Sequence, residues 1–432
     1  MSTQYRTMNE EQLKAILSEL REKYNGFLKL NLSLDMSRGK PNKHQLDLTQ
    51  KMLGAISTPD DCFSENGIDC RNYGLLDGIP EAKRIFADLL AIPSSNLIVC
   101  GNSSLNIMYD TLIRCMLYGS SPSTEPWVKQ GRIKFLCPSP GYDRHFSMCE
   151  SLGIEMITVR MTSTGPDMNI VEKLVSEDES IKGIWCVPKY SNPDGITYSD
   201  ETVRRFARLK PAAKDFRIFW DDAYIVHDLY PDKSDRLLSL FRETHIAGNP
   251  NIAYTFCSTS KISFPGSGVS VFAASDANIA YTKSLMTVQT IGCDKLNMLR
   301  HVRFFESAEG IKRHMMLHAD IIRPKFEAIL DEFERELEPC GIARWTKPLG
   351  GYFISLYVPE GCAKRVHSLM MDAGVKMTEA GATYPYGIDP HDSNLRIAPT
   401  YPPLEEIVVA AKVLATCVKI ASIEKLLAEY DG

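Results

Sequence analysis

A lysine occupies an unusual place in the segment NIAYTFCSTSKISFPGSG, which runs from Asn251 to Gly268. A mostly apolar, strand-like run is followed by small hydroxyl residues, then by Lys261, and then by a loop containing proline and glycine. Taken alone, Lys261 is best interpreted as a solvated loop lysine, as most lysines are. Its meaning depends on the polar residues that follow the other strand-like runs of the chain.

One such run, NLIVC, is followed by Gly101, Asn102, Ser103 and Ser104, which open a predicted helix. A turn of small residues at a helix N-terminus presents free backbone N–H groups and the positive end of the helix dipole, which together suit a phosphate. Capping of the helix by Asn102 or Ser103 is the simpler interpretation of the same residues.

Single polar residues follow three further runs. Tyr142 comes after IKFLC, Asn192 lies in a turn after GIWCV, and Asp221 and Asp222 directly follow FRIFW. Packing explains a lone tyrosine, and a Pro- and Gly-containing turn explains a lone asparagine. A carboxylate beside buried apolar residues, however, needs a partner, because burying it unpaired is costly.

The elements between these residues indicate how they meet. From Leu97 onward, short apolar runs alternate with helical patterns, which predicts a mostly parallel sheet covered by helices on both faces, an α/β three-layer fold. The predicted strands are NLIVC, IKFLC, IEMITV, GIWCV, FRIFW, IAYTFC and VSVFAA. In such sheets ligands bind at the carboxyl ends of the strands. After about Arg313 the pattern changes to a smaller α+β domain with a long closing amphipathic helix, about Leu404 to Glu429.

One sheet edge would then gather a phosphate-binding turn, an aromatic ring, an amide, a carboxylate and a lysine. Pyridoxal 5′-phosphate (PLP) uses all five groups. The lysine forms a Schiff base, the carboxylate keeps the pyridine nitrogen protonated, polar donors hold the phenolic oxygen, the aromatic ring lies against the cofactor ring, and the turn binds the phosphate. The combination predicts a PLP site, although each residue alone does not.

With these motifs the chain resembles the fold-type I PLP-dependent aminotransferases of class I/II, from about Asp35 to the C-terminus. It is similar in particular to the bacterial branch labelled MocR-type aminotransferases, whose relatives include aspartate aminotransferases. The resemblance implies a ping-pong transfer of an α-amino group from an L-amino acid, with aspartate favoured, to 2-oxoglutarate. We expect an N-terminal helix and arm at residues 1–50, a large PLP-binding domain at 51–315 and a small C-terminal domain at 316–432.

The resemblance also implies roles for single residues. Lys261, in STSK, binds the cofactor and later moves a proton. Asp221 pairs with the pyridine nitrogen, because the family places this aspartate three residues before the tyrosine that corresponds to Tyr224, and Asp222 is then structural. The other cofactor contacts fall on Tyr142 for the ring, on Asn192 and Tyr224 for the phenolic oxygen, and on Ser103, Ser104, the amide of Leu105 and Ser258 for the phosphate.

Three more assignments follow from the resemblance. Tyr73, in NYGLLDGIP, should reach the phosphate of a neighbouring subunit, which implies a homodimer with shared active sites. Arg396, in SNLRIAPTY, should bind the substrate α-carboxylate in a bidentate pair, together with Asn192. Gly39, in SRGKPN, lies where the N-terminal segment of the family closes over the substrate.

The chain departs from the family at one position. Most relatives carry a phosphate-binding arginine seven or eight residues after the lysine, where this chain has Gly268 and Val269. Another group must therefore neutralise the phosphate. A cation that could read a second substrate carboxylate is also not singled out by the motifs, and the candidates are Arg38, Lys40, Lys295, Arg300 and Arg303.

Composition narrows the class of protein. The 432 residues carry a net charge of -5, which gives no electrostatic reason to expect a nucleic-acid partner. No apolar run approaches the length of a membrane span, and the polar N-terminus lacks the apolar core of a signal peptide. The twelve cysteines are scattered without metal-ligand spacing and suit a reducing cytosol. We therefore expect a cytoplasmic enzyme without a metal.

Alternatives stay open at this point. The donor could be alanine or an aromatic amino acid, and other fold-type I reactions, such as β-elimination or decarboxylation, use the same cofactor residues. Arg396 favours transamination, because the substrate then keeps its carboxylate. A regulator that only senses a ligand would need a DNA-binding module, and the residues before LDMSRGKPN predict little more than one helix.

Overall fold

The computed structural model describes residues 4–430, so the outermost residues of the predicted N-terminal and C-terminal parts lie outside it. The strands are β1 (Leu34–Asp35), β2 (Leu97–Val99), β3 (Lys134–Ser139), β4 (Glu155–Thr162), β5 (Gly165–Pro166), β6 (Ile181–Cys186), β7 (Arg217–Asp221), β8 (Ala253–Ser258), β9 (Ser270–Ala274), β10 (Arg344–Trp345), β11 (Ile354–Tyr357), β12 (Val375–Lys376) and β13 (Asn394–Ile397). The α-helices are α1 (Glu10–Leu28), α2 (Lys43–Asp47), α3 (Pro80–Leu90), α4 (Ser104–Tyr118), α5 (Asp143–Ser151), α6 (Met168–Glu177), α7 (Asp200–Ala207), α8 (Leu240–Ile246), α9 (Asp276–Met286), α10 (Lys295–Phe305), α11 (Ala308–Glu336), α12 (Ala363–Asp372) and α13 (Leu404–Tyr430).

An eight-stranded sheet in the order β2-β9-β8-β7-β6-β3-β4-β5 forms the centre of the molecule. The neighbours β8, β7, β6, β3 and β4 are parallel, whereas β9 runs antiparallel to both of its neighbours and β5 is a two-residue antiparallel edge. All seven strands predicted from apolar runs are present. The predicted mostly parallel α/β sheet is therefore confirmed.

Alternating side chains of the strands explain the three layers. On β7, Phe219 packs with residues of α4, α5 and α9 on one face, while Ile218 and Trp220 pack with residues of α6, α7 and α8 on the other. Helices α3, α10 and α11 cover the same sheet near β2, β8 and β9. Since both faces are covered, the strands read as continuous apolar runs and the polar residues concentrate at their ends.

A second, smaller sheet orders β10, β11 and β13 antiparallel and packs with α1, α11, α12 and α13 in one apolar cluster. Strand β1 pairs in parallel with β12, which ties the N-terminal segment to this part of the chain. Helix α11 begins at Ala308, because Ser307 accepts a hydrogen bond from the Gly310 amide and caps the helix.

The closing helix differs from its prediction. From Val413 to Ile423 every residue except Lys419 is buried, so the middle of α13 is enclosed rather than amphipathic. Neighbouring α1, α11 and α12 enclose it. No helix among residues 4–430 is long and apolar enough to cross a membrane.

Candidate active site

The turn that carries Lys261 follows β8 directly. The Ile262 and Ser263 amides both donate to the Thr259 carbonyl, at 2.9 and 2.8 Å, which folds the chain back at the end of the strand. The amine lies 5.0 Å from the ring centroid of Tyr224. Burial lowers the pKa of Lys261, and the charge of Asp221 partly opposes this effect. An amine whose pKa is lowered in this way is a better nucleophile and base at neutral pH than a fully solvated lysine.

Asp221 ends the neighbouring strand β7 and is almost completely buried. Its Oδ2 lies 3.1 Å from His145 Nε2, and the His145 ring stacks on Trp185 with centroids 4.2 Å apart. Its Oδ1 is buried and has no hydrogen-bond partner among the described residues. One carboxylate oxygen is therefore held in place, while the other is available to an N–H donor.

The adjacent Asp222 has a different environment. Burial, and secondarily the charge of Asp221, raises the pKa of Asp222 to about 8, and Lys189 opposes this shift. Its carboxyl group is therefore largely protonated at neutral pH. Asp222 thus differs from Asp221, whose Oδ2 lies against His145.

Tyr224 and Tyr142 place two further rings at this edge. Tyr224 is buried and faces Tyr352 and Phe353 as well as Lys261. Burial raises the pKa of Tyr224, so its hydroxyl group remains a hydrogen-bond donor. Tyr142 precedes α5 and makes an edge contact with His145, with centroids 4.9 Å apart.

Arg396 joins the second sheet to this edge. It lies on β13, is only 7% exposed, and donates from Nη1 to Asp143 Oδ1 at 2.7 Å and to Asn192 Oδ1 at 3.3 Å. Its Nη2 lies 3.2 Å from Thr378 Oγ1, and the guanidinium lies over the Phe353 ring at 5.0 Å. A buried guanidinium is suited to a carboxylate.

The chain at Gly39 packs directly against this group. A Cβ atom at Gly39 would lie 2.5 Å from the Phe353 ring, so any side chain there would displace the ring beneath Arg396. Of the residues expected from sequence, the structure thus brings together Lys261, Asp221, Tyr224, Tyr142, Asn192, Arg396 and Gly39.

The predicted phosphate turn adjoins the Lys261 loop. Ser103 precedes α4, but its side chain accepts no hydrogen bond from a backbone N–H of the first turn; its Oγ instead donates to the side chain of Asn106, at 2.7 Å from Oδ1. The Asn102 side chain instead accepts from the Gly268 amide at 2.7 Å. Capping by Asn102 or Ser103 is therefore not what the structure shows. Ser258 ends β8, and its Oγ donates to Ser260 Oγ at 3.1 Å.

Comparison with known proteins identifies the fold and the chemistry. Residues 8–430 match the model of the family described as "Aspartate amino-transferase". The chain belongs to the aspartate aminotransferase family. It is 42% identical over 423 residues to an aspartate aminotransferase of Corynebacterium glutamicum, covering 98% of this chain and 97% of that protein. A crystal structure of an aspartate transaminase from the same species has a TM-score of 0.95 at 41% identity and covers 98% of this chain and all of that one.

A more distant structure shows the same fold. An alpha-aminoadipate aminotransferase of Thermus thermophilus, complexed with N-(5′-phosphopyridoxyl)-L-leucine, has a TM-score of 0.73 at 18% identity, with 91% of this chain and 93% of that chain covered. The chain is therefore a PLP-dependent aminotransferase of the three-layer α/β fold.

The described residues of this aminotransferase fit the cofactor. The unpartnered Asp221 Oδ1 matches the pyridine N–H, and the Lys261 amine makes no hydrogen bond among residues 4–430. The start of α4 has backbone N–H groups that no side chain of Ser103 uses. A carboxylate, an amine and an anion-binding turn thus occur at one edge, as the ring nitrogen, the aldehyde and the phosphate of PLP require.

At Gly268, one of the two positions where relatives carry the arginine, the structure leaves no room for a side chain. A Cβ atom at Gly268 would lie 2.6 Å from the Asn102 carbonyl oxygen, so no side chain fits there. The turn before α4 approaches the Lys261 loop closely enough to occupy this space. At Gly268 two loops are thus in direct contact, whereas Val269 carries a buried apolar side chain.

Tyr73 lies outside the cluster. Its side chain is 80% exposed, and the next residue, Gly74, accepts a hydrogen bond from Lys295 Nζ at 3.0 Å. Lys295, a candidate for reading a substrate side chain, is therefore buried in support of the Tyr73 loop. Arg303 pairs with Asp61 at 3.0 Å, and Lys40 lies over the Tyr401 ring at 3.8 Å.

The remaining candidate cations are Arg38 and Arg300. Neither has an ion pair or a side-chain hydrogen bond among the residues that the structure describes. Arg38 is exposed beside Gly39, and Arg300 is partly exposed on α10. Both therefore remain candidates for binding a second carboxylate.

Sequence reasoning missed several residues of the site. His145 had a local signal, because it lies three residues after Tyr142 on the first turn of a helix that begins at a strand end. Asp143, Phe353 and Thr378 had none, since only the tertiary fold brings them to Arg396.

Buried groups behind the Lys261 turn were also missed. His301 Nε2 lies 2.8 Å from Ser263 Oγ and 3.1 Å from Thr259 Oγ1, and burial lowers the pKa of His301 to about 4. Tyr352 Oη donates to the Lys261 carbonyl at 3.4 Å. A neutral His301 and Tyr352 therefore hold the turn that carries Lys261 in place.

Proposed function

We propose that this aminotransferase moves the α-amino group of L-aspartate to 2-oxoglutarate in the two half-reactions of a ping-pong cycle. The observation that supports this substrate pair most directly is the match along nearly the full length of an aspartate aminotransferase. The buried Arg396 at the cofactor edge supports it independently, because transamination requires a substrate that keeps its α-carboxylate.

The residues that would hold the cofactor are those of the sequence prediction. Asp221 would accept from the pyridine nitrogen, with His145 fixing its second oxygen. Asn192 and Tyr224 would donate to the phenolic oxygen, and Tyr142 would lie against the ring. The phosphate would meet Ser103, Ser104, the Leu105 amide and Ser258. When bound, PLP supplies an electron sink for the negative charge that develops on the substrate α-carbon.

Lys261 would move the proton. Its Nζ can take the proton from the substrate α-carbon and later return it, because burial lowers its pKa and increases the neutral fraction of the amine. The hydrogen bonds of the turn to the Thr259 carbonyl, and the hydrogen bond from Tyr352 to the Lys261 carbonyl, fix the backbone at Lys261. They therefore limit the positions that Nζ can reach. Arg396 and Asn192 would fix the carboxylate end of the substrate, so that the α-carbon hydrogen points toward Nζ.

We further propose a homodimer in which Tyr73 completes the partner's site. Exposed apolar side chains are grouped around it: Val288 and Ile291 lie on the loop whose Gly292 packs against Gly74. Leu117 is exposed on α4, which the same loop meets through Gln289 and Arg114. A second copy of the chain would cover this surface and bring Tyr73 out of solvent.

The cysteines support a cytoplasmic location, and the positions of the two sheets support the division into domains. Eleven of the twelve cysteines are buried free thiols and Cys293 is partly buried, which suits a reducing cytoplasm. We propose the division at residues 50 and 315 because the eight-stranded sheet lies wholly between them and the three-stranded sheet wholly after them.

A half-reaction screen tests the substrate. Holoenzyme is mixed with single L-amino acids while the absorbance of the bound cofactor is followed, and we expect aspartate to give the highest kcat/KM. Arg396→Lys should lower kcat/KM about tenfold to a few hundredfold for every donor, because lysine cannot form the paired, charge-assisted bonds worth about 1.5–3 kcal/mol.

Lys261→Ala is the control, and it should give no half-reaction with any donor. If alanine or an aromatic amino acid reacts faster than aspartate, the substrate assignment is wrong. If Arg396→Lys spares alanine but cripples aspartate, Arg396 reads the side chain rather than the α-carboxylate.

A further inference from the structure

The group predicted to bind the substrate carboxylate already holds a carboxylate of the protein. Arg396 Nη1 donates to Asp143 Oδ1 at 2.7 Å, the shortest of the hydrogen bonds made by this guanidinium. Asn192 and Thr378 accept its other bonds. A bidentate grip on a substrate carboxylate needs two parallel N–H groups, so Asp143 and the substrate compete for the same donor.

The two partners of this ion pair are unequally fixed. The Arg396 side chain is 7% exposed and lies between Phe353, Asn192 and Thr378, whereas the Asp143 side chain is 33% exposed. Asp143 is also the first residue of α5, where a carboxylate is stabilised by the helix dipole even without a salt bridge. The aspartate can therefore leave the pair, while the arginine stays.

We propose that Asp143 is the counter-ion of Arg396 in the substrate-free enzyme, and that the carboxylate of an amino-acid or 2-oxo-acid substrate displaces it on binding. This inference rests on the proposed role of Arg396. A buried guanidinium without a partner is costly, so a mobile carboxylate keeps the empty site paired. Each substrate must then compete with Asp143, which weakens the binding of all of them alike.

The counter-ion also acts on selectivity. A ligand without a carboxylate gains nothing by replacing Asp143, because it leaves Arg396 unpaired, whereas a carboxylate restores the pair. Asp143 thus makes the site respond to ligands that can form the full ion pair.

Binding of maleate, a dicarboxylate with no amino group to transfer, tests the proposal. Titration calorimetry on the holoenzyme should show that Asp143→Asn binds maleate about tenfold more tightly or better, because the competent site is no longer occupied. Asp143→Glu keeps the charge and should stay near the wild type. The thermal midpoint of Asp143→Asn without ligand should fall, and saturating maleate should raise it more than it raises that of the wild type.

Asp200→Asn is the matched control, since Asp200 also begins a helix and lies beside an arginine, Arg204, at 3.6 Å, but on the surface. It should leave maleate affinity unchanged. If Asp143→Asn binds maleate equally or more weakly, Asp143 orients Arg396 and the counter-ion role is wrong. Arg396→Lys distinguishes a failure of the Asp143 proposal from a failure of the proposed role of Arg396. If this variant still binds maleate as the wild type does, Arg396 does not bind the substrate carboxylate.

Discussion

At the scale of single residues, neighbours in sequence have different environments in the fold. Asp221 and Asp222 both follow an apolar strand, and sequence alone separates them only through the spacing to Tyr224. In the structure Asp221 has a partner in His145, whereas the pKa of Asp222 is raised by burial. Lys261, Asp221 and Tyr224 were predictable because the carboxyl ends of the parallel strands converge. The residues that contact this group from distant segments, such as Tyr352 and Phe353, were not predictable, because no local pattern links them to it.

Asp222 gives a pH dependence that can be measured. Its pKa is raised from 3.8 in the reference state to about 8 in the folded protein, so the folded state binds the proton more tightly. This contribution to stability is complete below about pH 4 and is lost as the pH rises toward 8. Asp222→Asn should remove this pH dependence of stability. The thermal midpoint of the variant minus that of the wild type should therefore increase as the pH rises from 5 to 8.

The corresponding slope for one proton is about 1.4 kcal/mol per pH unit in the free energy of unfolding. Thermal midpoints of the holoenzyme at several pH values check it, with the exposed Asp232→Asn as the control. A constant difference between Asp222→Asn and the wild type across this range would show that Asp222 is ionised in the folded protein.

At the scale of elements, the strands were predictable and their loops were not. Seven apolar runs became seven strands, since a sheet covered on both faces leaves few other places for them. The contact between the turn at Asn102 and the loop at Gly268 joins residues that are 166 positions apart, and no local sequence pattern predicts it. The missing arginine was visible in the sequence, but the contact that leaves no room for a side chain at Gly268 appears only in the fold.

Two glycines of one loop give a matched test of that contact. Gly268→Ala should weaken PLP binding and lower the thermal midpoint, because the new Cβ atom would lie 2.6 Å from the Asn102 carbonyl and push the phosphate turn away. Gly266→Ala should change neither, since nothing lies within 4 Å of its Cβ position. Titration of the apoenzyme with PLP measures the affinity. Equal affinities for the two variants would show that the phosphate does not depend on this turn.

At the scale of the whole molecule, the site depends on contacts that span the chain. Arg396 and Asp143 are 253 positions apart in the sequence. Strands β1 and β12 pair with each other although all strands of the central sheet lie between them in the sequence. Sequence predicts that both ends of the chain contribute, through Gly39 and Arg396, but not which side chains they meet. Tyr73 extends this dependence beyond one chain, because the described residues of its own subunit leave it 80% exposed.

Subunit complementation tests the shared site. Lys261→Ala and Tyr73→Phe chains are mixed, allowed to exchange subunits, and assayed with aspartate and 2-oxoglutarate. If Tyr73 serves the partner's site, a mixed dimer combines both lesions in one site and leaves the other intact, so random pairing restores about a quarter of the wild-type sites. If Tyr73 serves its own subunit, no site is intact and activity stays at the mean of the parents. Native mass spectrometry confirms the exchange, and without recovery of activity in exchanged dimers the shared-site proposal is wrong.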